Sequence, residues 1–229
     1  MANVFIEEST LTAIGDAIRA KTGGTEGILP ADMPAQIESI SSGDNYYDTF
    51  WDTYQANGTR ANYNYAFAGN GGWKNAIFNP KYPLSNGVIT SAIGMFTQGR
   101  TSRIKCDLDF SNSTNCSNLF SSNVYVSYIQ AIKFNNTLES DKRTNMFASA
   151  SYLVTIDRID GVIDFDLVMS SCKRLDDDTL ARIINALEDH GANGLNDGVT
   201  HTLNLHADSI AKLSDEQIAF ASEKGWSIV

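Results

Sequence analysis

No run of apolar residues in this chain approaches the roughly 20 that a membrane-spanning helix needs. Its first residues, Met1-Ala2-Asn3-Val4-Phe5-Ile6-Glu7-Glu8, offer neither a basic start nor a long apolar core. Neither membrane insertion nor a secretory signal is expected. Basic residues are scarce as well: 17 Lys and Arg stand against 27 Asp and Glu, a net charge of −10. That balance repels a phosphate backbone, so nucleic acid is not an expected partner. Cys106, Cys116 and Cys172 are odd in number and lack C-x-x-C spacing. They indicate neither a disulfide framework nor a zinc site, and are expected as reduced core or turn residues.

Catalytic signatures are missing too. There is no G-x-S-x-G, no P-loop and no H-E-x-x-H, and Gly69-Asn70-Gly71-Gly72 lacks the Lys and the strand-to-helix setting that phosphate binding needs. His201 and His206 are an odd number of residues apart, so on one strand they face opposite ways and do not share a metal. Asp164 and Asp166 would share a face of an extended segment, where two carboxylates could act on a glycosidic bond. They lie, however, in the acidic run Asp157, Asp160, Asp164, Asp166 and Asp176-Asp177-Asp178, which reads first as a solvated face ending in a helix start. No catalytic residue, metal ligand or cofactor is expected, and the chain is read as a non-enzyme.

What the sequence does contain is a recurring small motif of an apolar or small residue, then Phe, then a small polar residue. It appears as Ala66-Phe67-Ala68, Met95-Phe96-Thr97, Leu119-Phe120-Ser121 and Met146-Phe147-Ala148, a spacing of 24 to 29 residues. Leucine-rich repeats recur at such periods. After each Phe, usually past a polar or Gly-bearing turn, comes a short segment with β character: Ala76-Ile77-Phe78, Ile104 to Phe110, Tyr128 to Phe134, and Val154 to Ile159. One turn, one strand and one buried Phe per unit describe a solenoid, with Phe96, Phe120 and Phe147 as stacked neighbours. Asn and Ser in the turns, as in Ser111-Asn112-Ser113-Thr114-Asn115, satisfy backbone groups through their side chains.

Before the repeats, Ser9 or Thr10 can cap a helix with Leu11, Ile14, Ala17 and Ile18 on one face, ended by Gly23-Gly24. A second short stripe follows Leu29-Pro30 at Met33, Ile37 and Ile40. Each helix is too short to stand alone in water, so the two faces pair with each other or with a partner. On the second alternative, Leu11, Ile14, Ile18, Met33, Ile37 and Ile40 form an attachment surface. Ser41-Ser42-Gly43-Asp44-Asn45 is the clearest boundary, dividing residues 1–43 from 44–229. Aromatics then gather from Tyr46 to Phe67. Phe50, Trp51 and Tyr54 suit a helix capping the open end of a repeat array. Tyr46, Tyr47, Trp51 and Tyr54 equally suit a platform for stacking sugar rings.

Toward the end, Asp176, Asp177 or Asp178 starts a helix carrying Leu180, Ile183, Ile184 and Leu187, with Gly191 as its expected stop. Val199 to Leu205 alternates as a strand with Leu203 and Leu205 on one side. Ser214 and Gln217 form a capping box, with Leu213 and Ile218 as a hydrophobic staple. Gly225 ends that helix, and Trp226 and Ile228 belong to a last strand.

The stretch Phe50-Trp51-Asp52-Thr53-Tyr54-Gln55, the turn Tyr65-Ala66-Phe67-Ala68-Gly69 and the segment Phe78-Asn79-Pro80-Lys81-Tyr82 resemble BspA-type leucine-rich-repeat proteins encoded in phages and prophages of Gram-positive bacteria. The segment from Leu11 through Ile37 resembles a short module at the head of phage tail and fibre proteins. The repeats lack the regular Cys that follows each Phe in better-preserved BspA repeats. The resemblance implies an α/β fold: an irregular leucine-rich-repeat solenoid with helical caps, preceded by a small helical module, in a chain whose C-terminal unit looks complete. It implies a virion protein, made in the host cytoplasm, of tail, baseplate or fibre, that recognises a host-surface glycan or protein. The implied partners are other virion proteins, reached through the N-terminal module, and further copies of the chain. A capsid or tail decoration protein, a bacterial adhesin and a glycan-degrading enzyme are the rival expectations.

Overall fold

The structure, a computed structural model, describes residues 16, 62–69, 76–78, 84, 89–192 and 194–229. The chain divides into two compact units, Met1–Phe50 and Trp51–Val229. In the first, the described residue is Asp16, exposed and helical. The boundary expected at Ser41 to Asn45 and the aromatic helix around Trp51 lie outside the described residues.

The second unit is mixed α/β with two parallel sheets. Strands β1 (Ala76–Phe78), β2 (Thr101–Asp109), β3 (Tyr128–Lys133) and β4 (Thr155–Ile156) form one sheet in chain order. Strands β5 (Leu167–Met169), β6 (His201–Leu205) and β7 (Trp226–Ile228) form the other, also in order. Parallel neighbours in chain order require the chain to circle back after every strand, and in the first sheet the Phe-centred turns lie on those return paths. Register aligns apolar columns: Phe78, Ile104, Ile129 and Ile156 pair in succession, as do Leu84, Leu108 and Ile132. All seven are buried.

Opposite the sheet, Phe67, Phe96, Phe120 and Phe147 make a continuous stack, with ring centroids 5.4 Å apart at each step and interplanar angles of 22°, 9° and 24°. Phe78 packs against the side of its first step, 4.6 Å from Phe67 and 5.2 Å from Phe96. The expected stacking of Phe96, Phe120 and Phe147 is therefore observed. Backbone bonds hold each turn to the next. The amides of Tyr63, Tyr65, Phe67 and Gly69 donate to the carbonyls of Ser91, Ile93, Met95 and Thr97. Those of Ala92, Gly94, Phe96 and Gln98 donate to Asn115, Ser117, Leu119 and Ser121, and those of Cys116, Asn118, Phe120 and Ser122 to Lys142, Thr144, Met146 and Ala148.

These turns keep every second amide on one side, as an extended chain does, and also bend on each side of the Phe. The residues two before and two after each Phe accordingly have positive φ: Tyr65 and Gly69, Gly94 and Gln98, Asn118 and Ser122, Asn145 and Ser149. This conformation costs most side chains about 1–2 kcal/mol, and the Gly, Asn and Ser at six of these eight positions are the residues that suit such turns. Asn115 further braces its turn by accepting from the Ser117 amide and hydroxyl, and Asn135 accepts likewise from Thr137.

The C-terminal part breaks the pattern. Helix α1 (Asp177–Ala186) is capped by Asp176, whose carboxylate accepts from the Thr179 amide and the Thr155 hydroxyl. Burial works against charging Asp176, but these hydrogen bonds and Arg182 outweigh it and hold the carboxyl below its ordinary range. Thr179, Leu180, Ile183 and Ile184 face inward. The expectation that α1 runs to Gly191 is corrected: it stops at Ala186, because Leu187 turns extended and pairs with Ile163. The Lys224 ammonium then satisfies the carbonyls of Asn185 and Leu187. Two short helices follow, α2 (Ala207–Ile210), which the sequence did not suggest, and α3 (Asp215–Glu223), with the expected Ser214/Gln217 capping box. Ile218 is exposed, so the expected staple buries little.

Two further expectations change. β6 begins at His201, not Val199, and the Val154–Ile159 strand reduces to Thr155–Ile156 plus a bridge at Ile159. The acidic run is part-exposed and ends in the start of α1, as expected, with several members engaged: Asp157 accepts from the Tyr128 hydroxyl, Asp160 pairs with Arg158, and Asp176 is the cap just described. Cys106, Cys116 and Cys172 are free and buried, as expected.

If the Phe stack bears the packing load, Phe120→Ala should lower unfolding free energy by about 3–5 kcal/mol. Tyr125→Ala, at a side chain 38% exposed, should change it by roughly 0.5 kcal/mol or less. Chemical denaturation of both variants checks this; equal losses would place the core elsewhere.

Candidate functional site

The side chains singled out from sequence, Leu11, Ile14, Ile18, Met33, Ile37 and Ile40 for attachment and Tyr46, Tyr47, Trp51 and Tyr54 for ligand stacking, lie outside the described residues. Among the described residues, the densest gathering of polar groups that could do chemistry is at the leading edge of the second sheet. Asp166 immediately precedes β5, His201 opens β6 and Trp226 opens β7. Parallel pairing puts His201 directly opposite Trp226, and their rings lie 5.0 Å apart. Asp166 is tied in by accepting from the Thr202 amide at 2.7 Å.

The connection from α1 to β6 folds back over this edge and delivers His190. Its backbone is fixed on all sides: the His190 amide donates to the Lys224 carbonyl, the Leu195 amide to Asp189, and the Trp226 indole to Glu188. Gly191 and Gly194 permit the approach, since a Cβ on Gly191 would stand 1.8 Å from the Glu223 carbonyl oxygen and one on Gly194 2.0 Å from that of Asp189. The His190 side chain, only 3% exposed, is thereby pressed 4.5 Å from the His201 ring.

Both imidazoles lie between carboxylates, and of the two only His190 is hydrogen-bonded to one, through Nδ1 to Asp197. His190 Nδ1 lies 3.0 Å from Asp197 Oδ2, and His190 Nε2 lies 2.7 Å from Asp164 Oδ1. His201 Nδ1 lies 3.4 Å from Asp166 Oδ1, and His201 Nε2 lies 3.6 Å from Asp164 Oδ1. Burial pushes the His190 pKa down, but Asp197 and then Asp164 push it further up, and the net shift is upward. Asp197 is held below the usual carboxylate range by the Val199 amide and then by His190. At Asp164 the spacing is that of an ion pair but the direction is not that of a hydrogen bond, so buried His190 Nε2 has no hydrogen-bond partner. Asp164, His190 and His201 bring three potential ligand atoms within 4.8 Å of one another.

The sequence reading had part of this cluster. It placed Asp164 and Asp166 on one face, and both do meet one side chain, His201. It compared His201 with His206, which instead caps α2 by accepting from the Asp208 amide. His190 was missed because its partners are close only after the chain has circled back twice. A usable signal was the pair of glycines just beyond it, Gly191 and Gly194, which mark a tight loop. No helix among the described residues is long and apolar enough to cross a membrane. No protein-family model, curated protein or solved structure matches the chain.

Gly191→Ala tests whether this loop depends on close approach. With main chain 1.8 Å from the added carbon, the substitution should cost about 1–3 kcal/mol, read as a lowered thermal transition. An unchanged transition would mean that the loop is loosely held.

Proposed function

We propose that this chain is a non-enzymatic structural and recognition protein of a bacteriophage-type particle, associated with tail, baseplate or fibre. Its body is an irregular BspA-type leucine-rich-repeat solenoid that presents a host-binding surface, and its N-terminal segment attaches it to other virion proteins. The observation that carries the reading is the uniform stack of Phe-centred turns, each 5.4 Å from the next in ring spacing and joined by four amide-to-carbonyl bonds. An array of this kind is a scaffold whose outer positions vary without disturbing the core.

The outer positions here include aromatic and cationic side chains. Tyr125 and Tyr152 each follow a stacked Phe at the same distance along the chain and are 38% and 47% exposed. Arg100 lies over the Tyr125 ring at 5.8 Å, and Arg174 over Tyr152 at 4.1 Å. Flat aromatic faces beside guanidinium groups suit the apolar faces and the hydroxyl or acidic groups of a surface glycan. The receptor is accordingly a host-surface glycan or glycan-bearing protein, bound and released unchanged.

Deleting the N-terminal segment tests the anchoring half of this proposal. A chain beginning at Asp44 keeps the whole of the unit Trp51–Val229 and should fold with an unaltered thermal transition while failing to join particles. Leu11, Ile14 and Ile18 changed together to Ser should do the same. An insoluble or molten product would mean that the segment covers the repeat core, and would remove the anchoring role.

A further inference from the structure

Asp164, His190 and His201 reach one point from three separate stretches of chain, and the way their carboxylate neighbours are placed says which atoms are free there. In both histidines Nδ1 is turned toward a carboxylate, Asp197 at 3.0 Å and Asp166 at 3.4 Å. At His190 the Nδ1–Asp197 contact is a hydrogen bond, which suits a ring proton on Nδ1 and turns Nε2 toward Asp164, whereas at His201 the 3.4 Å spacing from Asp166 only orients the ring. Two Nε2 atoms then face one carboxylate oxygen, Asp164 Oδ1, at 2.7 and 3.6 Å. Three electron-pair donors converging without a cation repel one another.

Without a metal, a proton on His190 Nε2 offsets this, in keeping with the upward shift of the His190 pKa, and a metal ion would take that proton's place. Asp164 Oδ1 stands out of line, and Nε2 is buried with no hydrogen-bond partner. A cation off the N–O axis, shared with His201, accounts for all three positions.

We propose that Asp164 Oδ1, His190 Nε2 and His201 Nε2 form a binding site for one divalent transition-metal ion of the zinc class. Zinc bonds of about 2.0–2.2 Å to nitrogen and oxygen put tetrahedral ligand atoms roughly 3.3–3.5 Å apart. The separations of 2.7 and 3.6 Å straddle that value, and one ligand atom from each of the three residues lies within 4.8 Å of the others. Two imidazoles select against magnesium and calcium, which take oxygen ligands. Asp197 and Asp166 are the outer carboxylates that orient metal-bound histidines. The Asp164 side chain is 37% exposed, so the fourth position opens to solvent and takes water. The ion would pin His190 and the start of β6 to the chain entering β5. His206, with which the sequence pairs His201, takes no part in this site. This site stands apart from the virion reading, which holds with or without it.

The test uses the full chain, stripped with a chelator and titrated with Zn²⁺ by calorimetry, and separately with Co²⁺ followed by its visible absorption. One ion per chain should bind, the thermal transition should rise, and excess Mg²⁺ should not compete. Asp164→Asn and His201→Asn, both at part-exposed positions and so expected to fold, should each weaken binding at least tenfold. Asp197→Asn should weaken it about tenfold through the orientation of His190. His206→Asn should bind as the parent does. Circular dichroism of each variant checks the fold and keeps the result readable without any change at buried His190. No saturable binding to the folded parent, or binding unaltered in the Asp164→Asn, His201→Asn double variant, overturns the proposal.

Discussion

Most of this structure depends on where the amides of the Phe-centred turns find acceptors. A turn that buries its central ring has its backbone near the core, where unpaired amides are costly. Each turn donates to the one that follows, by way of alternate residues such as Gly94, Phe96 and Gln98. The consequences spread outward. The chain also bends on either side of the Phe, at the paired positive-φ residues. Aligned turns bring the Phe rings into a stack and set the strands on the opposite side in parallel register. Net contributions of about 0.5–1.5 kcal/mol per hydrogen bond and about 0.5–1.5 kcal/mol per aromatic pair are modest singly, but they repeat at every step.

The C-terminal part solves the same problem differently. There α1 satisfies its own amides, Asp176 supplies the first missing acceptor, and Lys224 meets two of the last carbonyls. The helix releases the chain from repeat geometry, and a longer connection can fold over the second sheet. That connection carries His190, and its glycines let it approach closely enough to bury an imidazole among carboxylates. The unit with the least repeat character is therefore the one that assembles the most chemically capable cluster among the described residues.

The repeat was legible in the sequence because its signal is local. The four Phe positions, the apolar segments after them, the Asp176 cap and the Ser214/Gln217 capping box each involve residues close along the chain. The positive-φ positions were legible only in part: Asn118 and Asn145 announce themselves, whereas Tyr65 and Gln98 do not. The separation into two sheets was not legible, since Leu167–Met169 and Thr155–Ile156 look alike as short apolar segments. Leu187 was assigned to α1 because it continues the helical spacing, and its pairing with Ile163 is tertiary. The His190 cluster was hidden for the same reason, its members being far apart in sequence and joined by a loop whose path no local pattern fixes.

Amide hydrogen exchange measures the central claim most directly, because it reads the ladder bond by bond. The account predicts that the amides of Gly94, Phe96, Gln98, Asn118, Phe120 and Ser122 exchange together, and among the slowest in the chain, as one cooperative unit. Amides of the exposed loop at 196–198 should exchange far faster. If the ladder amides exchanged as quickly as that loop, the turns would not be holding one another, and the stack of rings would be a result of the fold and not its cause.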